Sequence, residues 1–189
     1  MSIQIVRFAS LAKKPWKNGG GATAEIAVAP PDAGLDDFDW RLSIADIAAD
    51  GAFSRFDRID RTTALLAGAG VVLEVAGDER RVDLVGAAIA FPGDAPAFAR
   101  LIAGPIRDFN VMTRRGRFTH EVVRVRAGAI APIEAQDEIL AIVALEDSST
   151  VLVEGESLVL NVHDTLVCYD IGARLHIDRP ALRAMIRRS

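Results

Sequence analysis

The chain has 189 residues, and half of them are apolar, which is enough material for a substantial hydrophobic core. Its net charge of −4 and its isoelectric point near 5.4 argue against a nucleic-acid partner, because a surface that follows phosphates needs an excess of basic residues. No apolar run approaches the length that crosses a bilayer, and the N-terminus lacks the pattern of a secretory signal, so no membrane partner is expected. The lone Cys168 suits a reducing compartment, and we predict a cytoplasmic protein.

Most of the chain is predicted to be β-structure, because short apolar or alternating runs recur with turn signals between them. In chain order the predicted strands are 3–8, 23–29, 40–47, 63–67, 71–75, 82–91, 106–112, 118–126, 139–145, 158–162 and 165–169. This spacing is typical of a sandwich or a barrel, so the fold class is all-β. A short C-terminal helix is predicted where Asp178 could be the N-cap and Pro180 an early helical position, and a helical turn is predicted near 35–38.

A weak internal repeat suggests how the strands are organised. Residues 63–94 and 141–170 both follow the order strand, tight turn, strand, then strand, turn, strand. Two stacked β-barrel halves would produce this pattern. No linker-like stretch separates them, so we predict a single unit over 1–189.

Three consecutive glycines follow Trp16, Lys17 and Asn18 near the N-terminus. Glycine loses the most backbone entropy on folding, so such a loop is expected where the backbone closely approaches another group. The lysine precedes the glycines and a strand-like run follows them, which is not the pattern of a nucleotide-binding phosphate loop. A glycine-rich hairpin with Trp16 in the core is the alternative.

Pairs of polar residues fall on one face of each of three predicted strands. The pairs are Thr23 with Glu25, Arg41 with Ser43, and Asp108 with Asn110. On a half-buried sheet these faces could simply contact water. In a small barrel they would instead converge inside an apolar cup, which is the usual composition of a small-ligand site.

The three histidines do not form a recognisable metal site. A metal centre of the His-x-His type needs that pair, a carboxylate and a further histidine, whereas His120, His163 and His176 are scattered singly. Ser43 and Ser54 lack the local signature of a catalytic nucleophile. We therefore predict no metal, no cofactor and no catalytic triad.

Five blocks of sequence cover about the first two thirds of the chain. They are PWKNGGGATAE at 15–25, WRLSIA at 40–45, GAFS at 51–54, DR at 60–61 and GPIRDFNVMTRR at 104–115. In this order and at this separation they resemble the HutD/Ves family. The chain departs from the family pattern at 57–61, where Pro-Gly usually precedes the Asp-Arg pair, and no histidine follows the cupin-like turn at 86–94.

The resemblance implies a fold and a role. It implies a cupin-like protein with double-stranded β-helix barrels in two halves, a bicupin. It also implies a gene that accompanies bacterial histidine-utilisation genes, and a regulator or limiter of that pathway that binds urocanate or N-formylglutamate. No established catalytic reaction comes with the family.

Polar residues in these blocks are the candidate ligand-binding groups. Three arginines could grip a carboxylate in a two-pronged fork: Arg41, Arg61 and Arg114. Lys17 would supply a point charge, and Asn18 or Asn110 would read an amide or formyl oxygen. The acidic candidates, expected to orient these cations, are Glu25, Asp60 and Asp108. Trp16, Thr23 and Ser43 complete the set.

Two classes of function remain open from the sequence. The first is a binding protein that senses a small carboxylate. The second is a metal-independent enzyme, an isomerase or formamide hydrolase, with Glu25 or Asp108 as general base. No helix-turn-helix pattern supports direct operator binding, and the sequence leaves open whether the chain forms a homodimer.

Overall fold

Nineteen β-strands and one 3-10 helix (Phe8–Ser10) form the regular structure of residues 2–16, 19–130, 138–169 and 175–189, which this computed structural model describes. The strands are β1 Ser2–Val6, β2 Lys13–Pro15, β3 Gly21–Ala29, β4 Trp40–Ile47, β5 Gly51–Ala52, β6 Ile59–Ala67, β7 Val71–Val75, β8 Asp78–Val82, β9 Ala88–Pro92, β10 Ala97–Leu101, β11 Ile106–Arg114, β12 Phe118–Val125, β13 Gly128–Ile130, β14 Glu138–Ala144, β15 Ser149–Val153, β16 Glu156–Leu160, β17 Thr165–Tyr169, β18 Leu175–Ile177 and β19 Ala181–Arg188. The all-β prediction is confirmed.

The chain divides into two units. The central unit is Ala12–Thr119, and the terminal unit combines Met1–Leu11 with His120–Arg188. In the central unit a six-stranded sheet has the order β2-β3-β4-β11-β6-β9, and a four-stranded sheet has the order β5-β10-β7-β8. Apolar side chains from both sheets form one core cluster, which includes Ile47, Leu65, Leu73, Phe91 and Ile106.

In the terminal unit a five-stranded sheet has the order β1-β17-β14-β19-β12, and a four-stranded sheet has the order β13-β18-β15-β16. Its core cluster likewise draws on both sheets and includes Leu140, Ile142, Val151, Leu166 and Ile177. The eight strands β4–β11 and the eight strands β12–β19 are arranged alike. Numbered from their own first strand, both sets give the orders 1-8-3-6 and 2-7-4-5.

The predicted C-terminal helix is wrong, because residues 181–188 form strand β19 between β14 and β12. Leu182 and Ile186 share a face in a strand just as they do in a helix, so their spacing did not distinguish the two. Ala184 lies between them and is also buried, and Ala181 and Met185 are buried on the opposite face. Pairing on both sides and burial on both faces override the capping signals at Asp178 and Pro180.

Other differences concern short elements. The predicted strand at 82–91 is interrupted by a turn between β8 and β9, and residues 35–37 form a turn rather than a helix. Strands β2, β5, β10, β13 and β18 were not predicted, and β15 was expected only within the internal repeat; each of these strands has only two to five residues. Within the described part of the chain, no helix is both long and apolar enough to span a membrane.

Replacing Ala184 by Glu should lower the unfolding free energy by about 3 kcal/mol or more, because the strand buries this position and would remove the carboxylate from water. A helix that buried Leu182 and Ile186 would turn Ala184 outward and tolerate the change. Urea unfolding measures the effect, and Arg188→Glu at an exposed position of the same strand is the control. Equal stability of the two variants would contradict the strand.

Candidate functional site

A cavity of about 780 Å³ lies over the inner face of the six-stranded sheet of the central unit. Eight of the residues predicted for ligand binding line it: Trp16, Thr23, Glu25, Arg41, Ser43, Arg61, Asp108 and Asn110. Its volume falls in the range of cavities that hold small molecules.

Strand register brings the three predicted polar pairs together in rows across this sheet. Thr23 lies opposite Ala45, which lies opposite Asp108. Glu25 lies opposite Ser43, which lies opposite Asn110. Arg41, Met112 and Arg61 form the next row. Since side chains two residues apart share a face, all three rows project to one side of the sheet.

A buried chain of hydrogen bonds connects four polar side chains of β6 and β11. Arg61 donates from Nε (3.1 Å) and Nη2 (2.6 Å) to the single oxygen Oδ1 of Asn110. Asn110 Nδ2 donates to Asp108 Oδ1 at 2.8 Å. Thr63 Oγ1 donates to Asp108 Oδ2 at 2.5 Å. We call these four residues the buried network, and their strongest hydrogen-bonding groups are already engaged with one another.

The Arg61 guanidinium is stacked against aromatic rings. Its Cζ atom lies 4.4 Å from the centroid of the Phe53 ring and 5.5 Å from that of Phe91. Burial lowers the pKa of Arg61 to about 10; the charge of Asp108 opposes this shift, and the charge of Arg41 adds to it. Arg61 therefore remains a cation at neutral pH.

Opposing effects also act on the pKa of the Asp108 carboxyl. Burial raises its pKa above the usual 3.8, while hydrogen bonds from Thr63 and Asn110 and the charge of Arg61 act to lower it. The side chain is only 3 % exposed and both of its oxygens accept hydrogen bonds. Both oxygens of Asp108 are thus engaged in hydrogen bonds within the buried network.

Arg41 is the cation of the cavity whose fork is only partly used. Its Nε donates to Glu25 Oε2 at 2.7 Å, and the two side chains are 11 % and 33 % exposed. Among the described residues, no side chain or carbonyl accepts a hydrogen bond from its two terminal amino groups. The buried Ser43 lies two residues further along the same strand and also lines the cavity. This part of the cavity therefore presents donors that a ligand can use.

The last of the three glycines, Gly21, packs against Trp16, which lines the cavity. A Cβ atom on Gly21 would lie 2.4 Å from the carbonyl oxygen of Asp46 and 3.0 Å from the Trp16 ring, so only glycine fits there. Trp16 is half-buried, lines the cavity and donates from Nε1 to Thr23 Oγ1 at 2.8 Å. The close approach expected from the glycines is thus made by the Trp16 ring and the backbone of the neighbouring strand.

Apolar residues that sequence reasoning did not assign to the site complete its wall. They include Ala33, Leu35, Phe53, Phe56 and Met112, and Lys14 and Asp32 also line the cavity. Phe53 belongs to the sequence block GAFS at 51–54 that resembles the HutD/Ves family, so the sequence could have indicated it as a site residue. Residues 32–35 lie in the loop between β3 and β4. No local sequence pattern indicates that this loop covers the polar face of the sheet.

Four predicted site residues do not appear among the cavity-lining groups. Asp60 is half-exposed and accepts from Arg115 Nη2 at 2.8 Å. Arg114 donates to the carbonyl oxygens of Phe38 and Asp36. Lys17 and Asn18 lie outside the described residues.

His120, His163 and His176 all lie in the described part of the chain, and none of them lines the cavity. In residues 2–16, 19–130, 138–169 and 175–189, no group of three or more His, Cys, Asp or Glu side chains is placed to hold a metal ion.

Replacing Asp108 by Asn should make the stability difference between wild type and variant depend on pH. The folded pKa of Asp108 lies above its unfolded value, so its contribution is fully present below about pH 4 and is lost as pH rises through the folded pKa. Urea unfolding between about pH 3.5 and about pH 8 measures this. Asp178→Asn is the control of opposite sign, because a backbone hydrogen bond from Thr150 lowers the pKa of Asp178. A wild-type advantage at Asp108 that grows with pH would contradict the assignment.

Comparison with known proteins identifies relatives of this chain. A model of the HutD family matches residues 8–183. An uncharacterized 21.2 kDa protein in the hutC 3' region of Pseudomonas putida is 42 % identical over 116 residues, which are 61 % of this chain and 60 % of that protein. Protein Ves of Cronobacter sakazakii is 38 % identical over 121 residues, 62 % of this chain and 65 % of that protein. The matched part of the chain thus spans less than two thirds of the length of these curated relatives.

Solved structures extend the likeness over the whole chain. HutD from Pseudomonas fluorescens SBW25 (formate condition) is 34 % identical with a TM-score of 0.84, and all of each chain is covered. A cupin 2 conserved barrel domain protein from Leptotrichia buccalis has a TM-score of 0.61 at 9 % identity, with 98 % of this chain and 96 % of that chain covered. The second likeness shows a cupin-like fold. With the family match and the similarity to HutD and Ves proteins, the chain belongs to the HutD family.

Proposed function

We propose that this chain binds a small carboxylate intermediate of histidine breakdown, urocanate or N-formylglutamate, and thereby regulates or limits flux through that pathway. The observation that carries the proposal is an arginine with unused donors, Arg41, in a cavity whose other polar side chains are partly engaged with one another and whose wall includes Trp16 and Phe53. Other polar residues that line the cavity hold Arg41 in place or bind one another.

Arg41 is the proposed carboxylate-binding residue. A carboxylate oxygen matches the spacing of guanidinium donors, and such charge-assisted hydrogen bonds are about twice as strong as neutral ones. Glu25 holds the Nε side of the fork, so the opposite edge of the guanidinium remains for the ligand. Ser43, on the same strand, can add a hydroxyl donor.

The buried network is proposed to support this site rather than to contact the carboxylate. Both Arg61 donors with known partners point to Asn110 Oδ1, and Asn110 in turn is held by Asp108. Engaging a ligand through these groups would break existing buried hydrogen bonds, which costs free energy. Arg61, whose charge is balanced by the buried Asp108, instead holds the Asn110 side chain in place behind the site.

The aromatic wall suits the remainder of such a ligand. Trp16, Phe53 and Phe56 line the cavity and offer flat apolar surfaces. A planar conjugated acid or a short amide-bearing acid fits the volume of about 780 Å³ with room for water. The aromatic surface does not by itself choose between urocanate and N-formylglutamate.

The link to histidine breakdown rests on relatives. One similar protein is encoded in the hutC 3' region of Pseudomonas putida, and a HutD of Pseudomonas fluorescens shares the fold at 34 % identity. The regulatory role, the ligand and the cytoplasmic location are part of the proposal for this chain.

We also propose that the two units are the two halves of a bicupin. The identical strand order of β4–β11 and β12–β19 supports this interpretation. The repeat at 63–94 and 141–170 coincides with β6–β9 and β14–β17, which hold equivalent places in that order.

Arg41→Ala should weaken binding of urocanate or N-formylglutamate by about 2 kcal/mol or more, roughly thirtyfold, because the carboxylate loses its charge-assisted hydrogen bonds. Arg41→Lys should lose less, since it keeps a charge without the fork. Isothermal titration of metal-free protein measures affinity and heat, and Arg81→Ala, an exposed arginine paired with Asp83, is the control.

Heat of binding that saturates as ligand is added, with no reaction product formed, would support the function of a binding protein. Steady conversion of either acid by metal-free protein would favour the enzyme alternative with Glu25 as general base. Unchanged affinity in Arg41→Ala would place the ligand elsewhere and contradict the proposal.

Asn110→Ala should lower the unfolding free energy by about 2 to 4 kcal/mol, because Arg61 and Asp108 both lose a buried partner. Urea unfolding without ligand measures this, and Arg41→Ala, at a position whose partner Glu25 is partly solvated, serves as the comparison. If Asn110→Ala left stability unchanged and abolished binding instead, Asn110 would be a ligand contact and not a support.

A further inference from the structure

We infer that Arg114 is a positioning residue of the binding cavity, which it does not line, and that it acts by holding the loop at residues 30–38 in place. This inference rests on the proposed function, because it concerns the same cavity. The loop between β3 and β4 is called the rim segment below.

The rim segment forms one wall of the cavity. Asp32, Ala33, Gly34 and Leu35 all line it. Leu35 is 55 % exposed, and this exposure would decrease if a ligand lay beneath it. The wall is therefore made by a loop and not by a sheet strand.

Few backbone hydrogen bonds fix this wall. Ala33 N donates to Pro30 O at 3.1 Å, within the segment itself. At the far end Asp39 N donates to Ala29 O at 2.6 Å. Neither bond ties the middle of the segment to the sheet, so its position depends on side-chain contacts.

Arg114 supplies such contacts. Its Nε donates to Phe38 O at 2.9 Å, and its Nη2 donates to Asp36 O at 3.1 Å. Its Cζ atom also lies 5.9 Å from the centroid of the Phe38 ring. One planar fork thus binds two successive parts of the rim segment and fixes them to the end of β11.

Phe38 connects Arg114 to the cavity wall through its packing contacts. It is completely buried in a cluster with Ile59 and Met112, against which Ala33 and Phe56 also pack. The rings of Phe38 and Phe56 are 6.2 Å apart. Since Ala33, Phe56 and Met112 all line the cavity, a displaced Phe38 would loosen the wall at three places.

Loosening the wall should mainly affect escape of a bound ligand. The groups that grip the carboxylate lie on β4 and would be unchanged, so encounter and first contact remain. Mutations at a binding site usually act more on dissociation than on association. Arg114 would therefore set residence time without touching the ligand.

The test compares Arg114→Ala and Arg114→Lys with a matched control, Arg117→Ala. Arg117 ion-pairs with Asp39 at 2.6 Å, so its loss removes a neighbouring charge but no donor to the rim carbonyls. The probes are urocanate and N-formylglutamate, with dissociation followed by stopped-flow tryptophan fluorescence, to which Trp16 and Trp40 both contribute, or by competition. A second readout, independent of ligand, is hydrogen exchange at the Ala33 amide.

Arg114→Ala should raise the dissociation rate about tenfold, leave association within about twofold, and speed Ala33 exchange about tenfold or more. Arg114→Lys, which keeps the charge and one donor direction, should lie between wild type and Arg114→Ala. Arg117→Ala should match wild type. If Arg114→Ala does not fold, Arg114→Lys decides the question with the same two readouts.

The inference is overturned if wild-type dissociation and Ala33 exchange persist in both Arg114 variants. It is also overturned if Arg117→Ala reproduces the effect, since charge rather than the carbonyl clamp would then be responsible. Arg41→Ala separates this result from the proposed function. Weak binding in Arg41→Ala beside normal behaviour in the Arg114 variants refutes only the clamp, whereas normal binding in Arg41→Ala refutes the site itself.

Discussion

The buried guanidinium of Arg61 is the constraint on which the rest of the site depends. A cation removed from water costs several kcal/mol unless hydrogen bonds and an opposite charge compensate it. Here the amide oxygen of Asn110 takes two of its donors, Asp108 supplies the negative charge, and the Phe53 ring lies beneath it. These partners come from the paired strands β6 and β11 and from the stretch after β5, so the strand register that creates the cavity also neutralises the charge inside it.

This constraint separates the polar residues of the cavity into two groups. Members of the buried network satisfy one another and are expected to change little between free and bound protein. Arg41 lies one strand away, where Glu25 occupies only one side of its fork. A cavity with a self-satisfied polar network and one uncommitted guanidinium fork is preorganised for an anion, and preorganisation limits the entropy lost on binding.

Sequence patterns predicted the strands that build the site because those strands are long and alternate clearly. Alternation in β3, β4 and β11 placed six polar residues on one face, and the register aligns them in rows. Pattern alone could not reveal the β-bulge after Glu25, which shifts the pairing of β3 with β4 by one residue. It also could not show which polar groups are used up by each other, since that depends on side-chain geometry.

The failures have the same physical origin. Strand β19 looked helical because residues spaced by four share a face in both structures, and only its neighbours β14 and β12 decide the matter. Arg114 was predicted to grip a carboxylate because it stands in the sequence block at 104–115, and in the structure its guanidinium donates to carbonyl oxygens of the rim segment. The pairing partners of β19 and the hydrogen-bond partners of Arg114 are distant in sequence, so local patterns do not reveal them.

A crystal structure of the protein with bound N-formylglutamate or urocanate would test the central claim most directly. The account predicts a ligand carboxylate within about 3 Å of the terminal amino groups of Arg41, with the bonds between Arg61 and Asn110 intact. A carboxylate bound to Arg61 in place of Asn110, or a ligand outside this cavity, would contradict it.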